Sequence, residues 1–225
     1  MKNLTHSLIL AMAMLMLPAM CHAQETSLPV KIQGGKVGIK DFARAYCSPC
    51  QSGTMERIAL AAWSKGNYKN GNTQSIVDVK NGYLMFTQQS NGMKETIEMC
   101  YWNCDNKNEK IVAVNNISNS IGMDESILIF YRYNVKTKTM TLIDAPFDHT
   151  PAPIDLVDRE RADKATIDMV RSAKNEDSNK YQPFYQLPRN GKDIKCRMAD
   201  PNAIPKQFQN DCELEWNGNG FTFDD

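Results

Sequence analysis

Residues 75–144 constrain the fold more than any other part of the chain, because they read as short β-rich runs separated by turn residues. The sharpest signal is Ile76-Val77-Asp78-Val79-Lys80-Asn81-Gly82-Tyr83-Leu84-Met85-Phe86-Thr87. Its two apolar-rich runs are joined by Asn-Gly, the pair that best tolerates the positive φ angles of a type I′ turn. A two-residue loop sets Lys80 opposite Tyr83, Val79 opposite Leu84 and Val77 opposite Phe86, which gathers four apolar side chains on one face. A second turn at Ser90-Asn91-Gly92 leads into a strand at 96–102, and the polar run 105–109 turns the chain into a strand at 110–114. Residues 126–133 are apolar on both parities, as expected of a central strand covered on two sides. After a polar turn at 134–138, residues 139–143 return as the sixth strand.

The flanks add helices. Ile39, Phe42, Ala43 and Tyr46 fall at helical spacing, and Met55, Ile58, Ala59, Ala62 and Trp63 do so again after Cys47-Ser48-Pro49-Cys50. Gly66 ends the second helix, and Ser52 or Thr54 caps its start by accepting a hydrogen bond from an orphan amide. A third helix is expected over 155–174, where the alternating charges of 158–164 read as a solvated face. Two or three short strands are expected, at 184–187, 193–198 and 212–216 with 221–223, where Asn217-Gly218-Asn219-Gly220 is the turn of a last hairpin. The expected fold is therefore α+β: an antiparallel meander of about six strands with a short N-terminal helical pair, one later helix and a C-terminal β-hairpin. At 225 residues with 42% hydrophobic residues, one domain spanning 38–225 is expected, with a possible sub-boundary near 145–180.

Residues 1–23 combine Met1-Lys2-Asn3, an apolar run and Cys21-His22-Ala23, the parts of a secretory signal peptide cleaved after Ala23. The rival reading is an outer-membrane lipoprotein acylated on Cys21. The apolar run is too short to span a bilayer, so the mature chain is expected to be exported, periplasmic or secreted, without a transmembrane segment. Residues 24–37 carry Pro29, Gly34 and Gly35 and read as a flexible leader. The 26 basic and 26 acidic residues balance, which argues against nucleic acid as a partner.

Cleavage would leave His149 as the single histidine, in a proline-punctuated loop, and six cysteines: Cys47, Cys50, Cys100, Cys104, Cys196 and Cys212. One histidine excludes paired-His metal sites and makes any Ser-His-Asp or Cys-His mechanism rest on it alone. In an exported chain six cysteines are most economically three disulfides, with 15 possible pairings. Cys196 and Cys212 fall on neighbouring strands. Cys100 and Cys104 can pair only if the strand bends sharply after Trp102, since four extended residues span about 13 Å. A bridge from Cys47 or Cys50 to Cys100 or Cys104 would pin the helices to the sheet. Trp102 and Trp216 each share a strand face with a cysteine and are expected in the core.

Asp41-Phe42-Ala43-Arg44-Ala45-Tyr46-Cys47-Ser48-Pro49-Cys50 locally resembles the active-site stretch of the thioredoxin family. That resemblance implies a nucleophilic Cys47 at a helix N-terminus and a resolving Cys50. It covers about a dozen residues; the parallel strand before the motif and the later cis-proline of that family have no counterpart here. The chain as a whole, with its export signal, helical prelude, meander and closing Trp216-Asn217-Gly218-Asn219-Gly220-Phe221 hairpin, resembles the poorly characterised secreted proteins of gut anaerobes, a resemblance that implies an envelope location and no activity. No phosphate loop or nucleophile elbow is present, and Lys107 spoils the one calcium-like run. No catalytic, cofactor or metal residues are expected. The expected function is non-catalytic binding or inhibition at the cell envelope, through residues 115–125 and 144–154, toward an unknown protein or glycan of the envelope or host. A thiol oxidoreductase using Cys47 and Cys50 is the alternative.

Overall fold

The computed structural model describes residues 26–120 and 123–224. The expected signal peptide and Cys21 lie outside the described residues. Two antiparallel sheets organise the chain. The larger has eight strands in the order β1-β8-β7-β6-β5-β4-β3-β2: β1 Ser27–Pro29, β2 Tyr68–Asn70, β3 Thr73–Asp78, β4 Tyr83–Ser90, β5 Met93–Asn103, β6 Glu109–Ser120, β7 Met123–Asn134 and β8 Thr139–Ile143. The smaller has four, in the order β12-β11-β10-β9: β9 Pro183–Gln186, β10 Ile194–Met198, β11 Cys212–Trp216 and β12 Phe221–Asp224. The six expected strands are β3 to β8, so the expected count was short by β1 and β2 in that sheet. β1 also corrects the flexible leader: Leu28 and Val30 are buried, and the segment pairs with β8.

Helices α1 (Ile39–Cys47) and α2 (Met55–Lys65) cover one face of the large sheet. The α2 ends follow the sequence: Thr54 Oγ1 accepts from the Arg57 amide at 3.5 Å, and Gly66 closes the helix at φ 95°. Phe42, Tyr46, Ala59 and Trp63 pack there on Leu84, Phe86, Met99, Val112 and Tyr131. The opposite face meets the small sheet, whose Ile194, Leu214 and Phe221 pack on Tyr83, Trp102, Ile111 and Phe130. Beyond the large sheet the same inner face of β10 and β11 is covered by a 3-10 turn at Pro153–Leu156 and helix α3 (Lys164–Ser172). The later helix is therefore shorter than expected, and residues 158–163 precede it without helical structure.

The turns show how local chemistry sets register. Asn91 and Gly92 both have positive φ (50° and 78°) and join Ser90 to Met93, so the tight two-residue turn sits here. At Asn81-Gly82 the loop has four residues instead, and Asp78 opposes Tyr83 while Val77 opposes Leu84. That is a slip of two from the expected register. Because side chains alternate with a period of two, the face assignment survives it: Val77, Leu84 and Phe86 all face the helices. Only Val79 leaves, to a turn where it is 56% exposed.

Candidate functional site

The outer strands of the large sheet are poor docking edges. β1 and β2 are three residues each, and β1 ends on Pro29; short, proline-bearing edges resist pairing with another chain. The opening lies inside the sheet. β8 pairs with β7 only at 130–134, so residues 123–129 have β6 on one side and no ladder partner on the other.

The direction of the unpaired groups follows from their neighbours. Leu142 donates its amide to Thr26 on the β1 side at 2.9 Å, so the alternate residues Thr139, Thr141 and Ile143 bond β7 through Asn134, Arg132 and Phe130. Carried down β7, the same parity turns the backbone groups of Leu128, Ser126 and Asp124 outward. The Asp124 amide indeed reaches the Ala199 carbonyl at 3.1 Å. The Ser126 and Leu128 amides meet no backbone partner on that side among the described residues.

Two hollows follow this edge. One of about 430 Å³ is lined by Glu125, Ser126, Ile127, Thr150, Pro151 and Tyr185; the other, about 520 Å³, by Leu128, Phe130, Leu142, Ile143 and Ala145. Ile127 is 42% and Leu142 38% exposed. The two expected contact segments thus meet at one groove, Asp124 and Glu125 from the first and Thr150 and Pro151 from the second. Residues 115–120, expected in a loop, extend β6 instead.

The groove walls are held from the small sheet. Phe221 donates to the Pro146 carbonyl at 2.8 Å, Asp148 donates to the Phe221 carbonyl at 3.0 Å, and Phe223 donates to Asp148 Oδ1 at 2.9 Å. Glycine is required at 220, where a Cβ would stand 2.5 Å from the Pro146 carbonyl oxygen. On the other side Arg197 of β10 pairs with Asp124, and the Tyr185 amide donates to Ser126 Oγ at 3.0 Å.

Behind the groove a buried polar cluster joins the two sheets. Glu98 accepts from the Tyr83 hydroxyl at 2.7 Å, the Leu187 amide at 3.3 Å and Asn115 Nδ2 at 3.4 Å, and Asn115 Nδ2 also reaches the Tyr185 carbonyl at 2.9 Å. Burial outweighs these bonds and holds the Glu98 carboxyl above its ordinary range. Sequence reading missed both residues; the only signal was a glutamate and an asparagine at inward positions of otherwise apolar strands. Its donors are all main-chain or side-chain groups of the core, which makes it a cross-link between sheets.

His149 Nε2 donates to Asp155 Oδ2 at 2.8 Å, and Asp155 Oδ1 pairs with Arg159 at 2.7 Å. Burial would raise Asp155, but the His149 bond, the Ala152 amide and Arg159 together keep it below its ordinary value. The pair fastens the proline-rich segment to the 3-10 turn. Trp102 is buried, its Nε1 donating to the Lys192 carbonyl at 2.7 Å, whereas Trp216 stacks on it with ring centroids 5.8 Å apart and is only partly buried at the margin of the same core.

The six cysteines among the described residues are all buried. Cys47 is the last residue of α1, not the first of a helix, and is fully inaccessible. The negative end of the helix dipole therefore lies beside it, the reverse of what stabilises a reactive thiolate. Cys47 lies in the helix-covered core and Cys100 and Cys104 in the core on the opposite face, so the sheet stands between them and the expected pinning bridge from Cys47 to Cys100 or Cys104 does not fit. No helix among the described residues is long and apolar enough to cross a membrane. No protein-family model, curated protein or solved structure matches the chain.

Proposed function

We propose that this chain is an exported, non-catalytic binding protein of the cell envelope that captures an extended peptide segment by strand addition to β7. The edge of β7 at Ser126 and Leu128, without a ladder partner among the described residues, carries the reading. Ser126 and Leu128 offer outward N–H and C=O groups at strand spacing, the geometry by which an added strand gains affinity through its main chain. The hollows on either side, with Ile127, Leu142 and Pro151, would take alternate side chains of the guest. Nothing about this arrangement calls for a nucleophile or general base, and the inaccessible Cys47 at a helix C-terminus gives thiol-oxidoreductase chemistry no support.

Proline substitution separates docking from folding. Leu128→Pro removes an amide that faces the open edge and trims a partly buried side chain, so its melting temperature should fall far less than that of Ile127→Pro, because no ladder bond is lost. Ile127→Pro removes an amide directed to β6 and should cost about 3 kcal/mol or more. The probe is a displayed library of random unstructured decapeptides panned on the wild-type protein. Sequences retained by wild type and lost on Leu128→Pro are the expected result. Retention by both proteins, or no enrichment at all, would remove the strand-addition reading.

A further inference from the structure

The cysteines occupy three separate places. Cys47 and Cys50 flank the end of α1, Cys100 and Cys104 face the small sheet beside Trp102, and Cys196 and Cys212 lie where the small sheet meets Leu156 and Tyr181. The backbone sets two of these pairs side by side. Cys196 and Cys212 are directly opposed on β10 and β11, on the same buried face, and opposed residues of an antiparallel pair have α-carbons about 4.5–5.5 Å apart, within the range a disulfide spans. The facing Cys212 thiol, together with burial, makes Cys196 hard to ionise. At the other pair the Cys50 amide donates to the Cys47 carbonyl at 3.2 Å, a turn that holds the first and fourth α-carbons within about 7 Å.

The third pair differs. β5 stays extended and in register through Asn103, opposite Lys110, so at strand rise Asn103 already lies about 10 Å beyond Cys100. The Cys104 amide continues the same ladder to the Glu109 carbonyl at 3.3 Å. Trp102 sits between the two cysteines on their shared face. The sharp bend that a Cys100–Cys104 bridge requires is missing.

We infer that under oxidising conditions this fold takes two disulfides, Cys47–Cys50 and Cys196–Cys212, and keeps Cys100 and Cys104 as buried thiols. Three bridges from six cysteines is thereby replaced by two. Each forms during folding, before burial closes off the thiols, by exchange with a disulfide donor such as glutathione disulfide. One cysteine thiolate attacks a donor sulfur and expels a glutathione thiolate; the second cysteine thiolate then attacks the mixed disulfide and expels the other. The cysteine pair loses two electrons and two protons, and the donor leaves as two thiols. The Cys196–Cys212 bridge would also brace the groove, since Arg197, between its strands and β7, is the residue that holds Asp124. At Cys47 the adjacent helix C-terminus disfavours the thiolate and so resists reduction of its bridge.

The pairing is tested apart from the export reading. Full-length protein, reduced and unfolded, is refolded in a glutathione redox buffer, alkylated in denaturant and mapped by mass spectrometry without reduction. Cys100 and Cys104 should carry the label, with Cys21 read separately on its own peptide, and the linked peptides should be 47 with 50 and 196 with 212. A bridge that uses Cys100 or Cys104, a bridge between the two proposed pairs, or label on all six positions would overturn the inference. In the folded protein, Cys196→Ser with Cys212→Ser should lower the thermal midpoint by roughly 5–10 °C, the scale of closing a loop of that length in a chain this size, and no fall would count against that bridge. A second arm, the same map on protein taken from a bacterial periplasm, reports on export alone.

Discussion

The two faces of the eight-stranded sheet are covered by different means. On the helix side the cover comes from residues 39–65, which lie next to β3 and β4 in sequence, and the contact is almost wholly apolar, with Phe42 set edge-on to Tyr101 and Tyr133 at 5.4 and 5.0 Å. On the other side the cover comes from residues 183–224 and brings Glu98, Asn115 and the Trp102 indole into hydrogen bonds across the interface. Apolar area alone holds two surfaces together without choosing between nearby offsets. Buried hydrogen bonds do choose, because any offset leaves a donor or acceptor unpaired. The small sheet in turn holds the groove walls, so its placement on β7 matters in a way that the helix placement does not.

The sharpest break in that comparison is Trp102→Ala. The side chain is 4% exposed at the centre of the sheet–sheet contact, and its loss should cost about 3–5 kcal/mol in transfer energy and cavity, read by denaturant unfolding. Trp216→Ala, on a partly buried ring stacked against it, should cost less. Equal costs would mean that the contact is not centred on Trp102. If both variants kept a wild-type melting temperature and lost binding to a sugar or peptide, the rings would be a ligand platform instead.

Glu98 sharpens the polar side of the comparison. Its folded-state carboxyl is held above the ordinary value by burial, so the folded state binds the proton more tightly than the unfolded chain. The contribution is fully present below the ordinary glutamate value and is lost as pH rises through the raised one. Melting temperatures across that window should therefore fall with rising pH in the wild type and stay flatter in Glu98→Gln. An unchanged slope in the variant would show that the carboxyl does not titrate there.

The smallest effect belongs to the helix side. Thr54→Ala removes the cap at the start of α2 and should cost about 1 kcal/mol, with peptide capture at the β7 edge unchanged. A change in capture would show that the two faces are coupled.

Much of the helix-covered face was legible in the sequence. Its signals are local: a threonine cap and a closing glycine for α2, the 3.6-residue spacing of Phe42, Tyr46, Ala59 and Trp63, and strand alternation that kept Val77, Leu84 and Phe86 on one face even though the hairpin register slipped by two. The sheet-covered face was legible only in part. Two or three C-terminal strands could be read, but not that four form a separate sheet, because strand pairing between distant segments leaves no periodic trace in either one.

What the sequence determined by itself was the alternation of strands, the two helices and the turns, since each follows from propensities within a dozen residues. Only the tertiary structure decided that β1 closes onto β8, that β8 stops short and leaves Ser126 and Leu128 of β7 without a strand partner, and that Cys100 and Cys104 stay apart while Cys196 and Cys212 stand opposite each other. Those outcomes depend on where strands of different length end beside one another, which is fixed by the packing of remote segments and not by the residues of either strand alone.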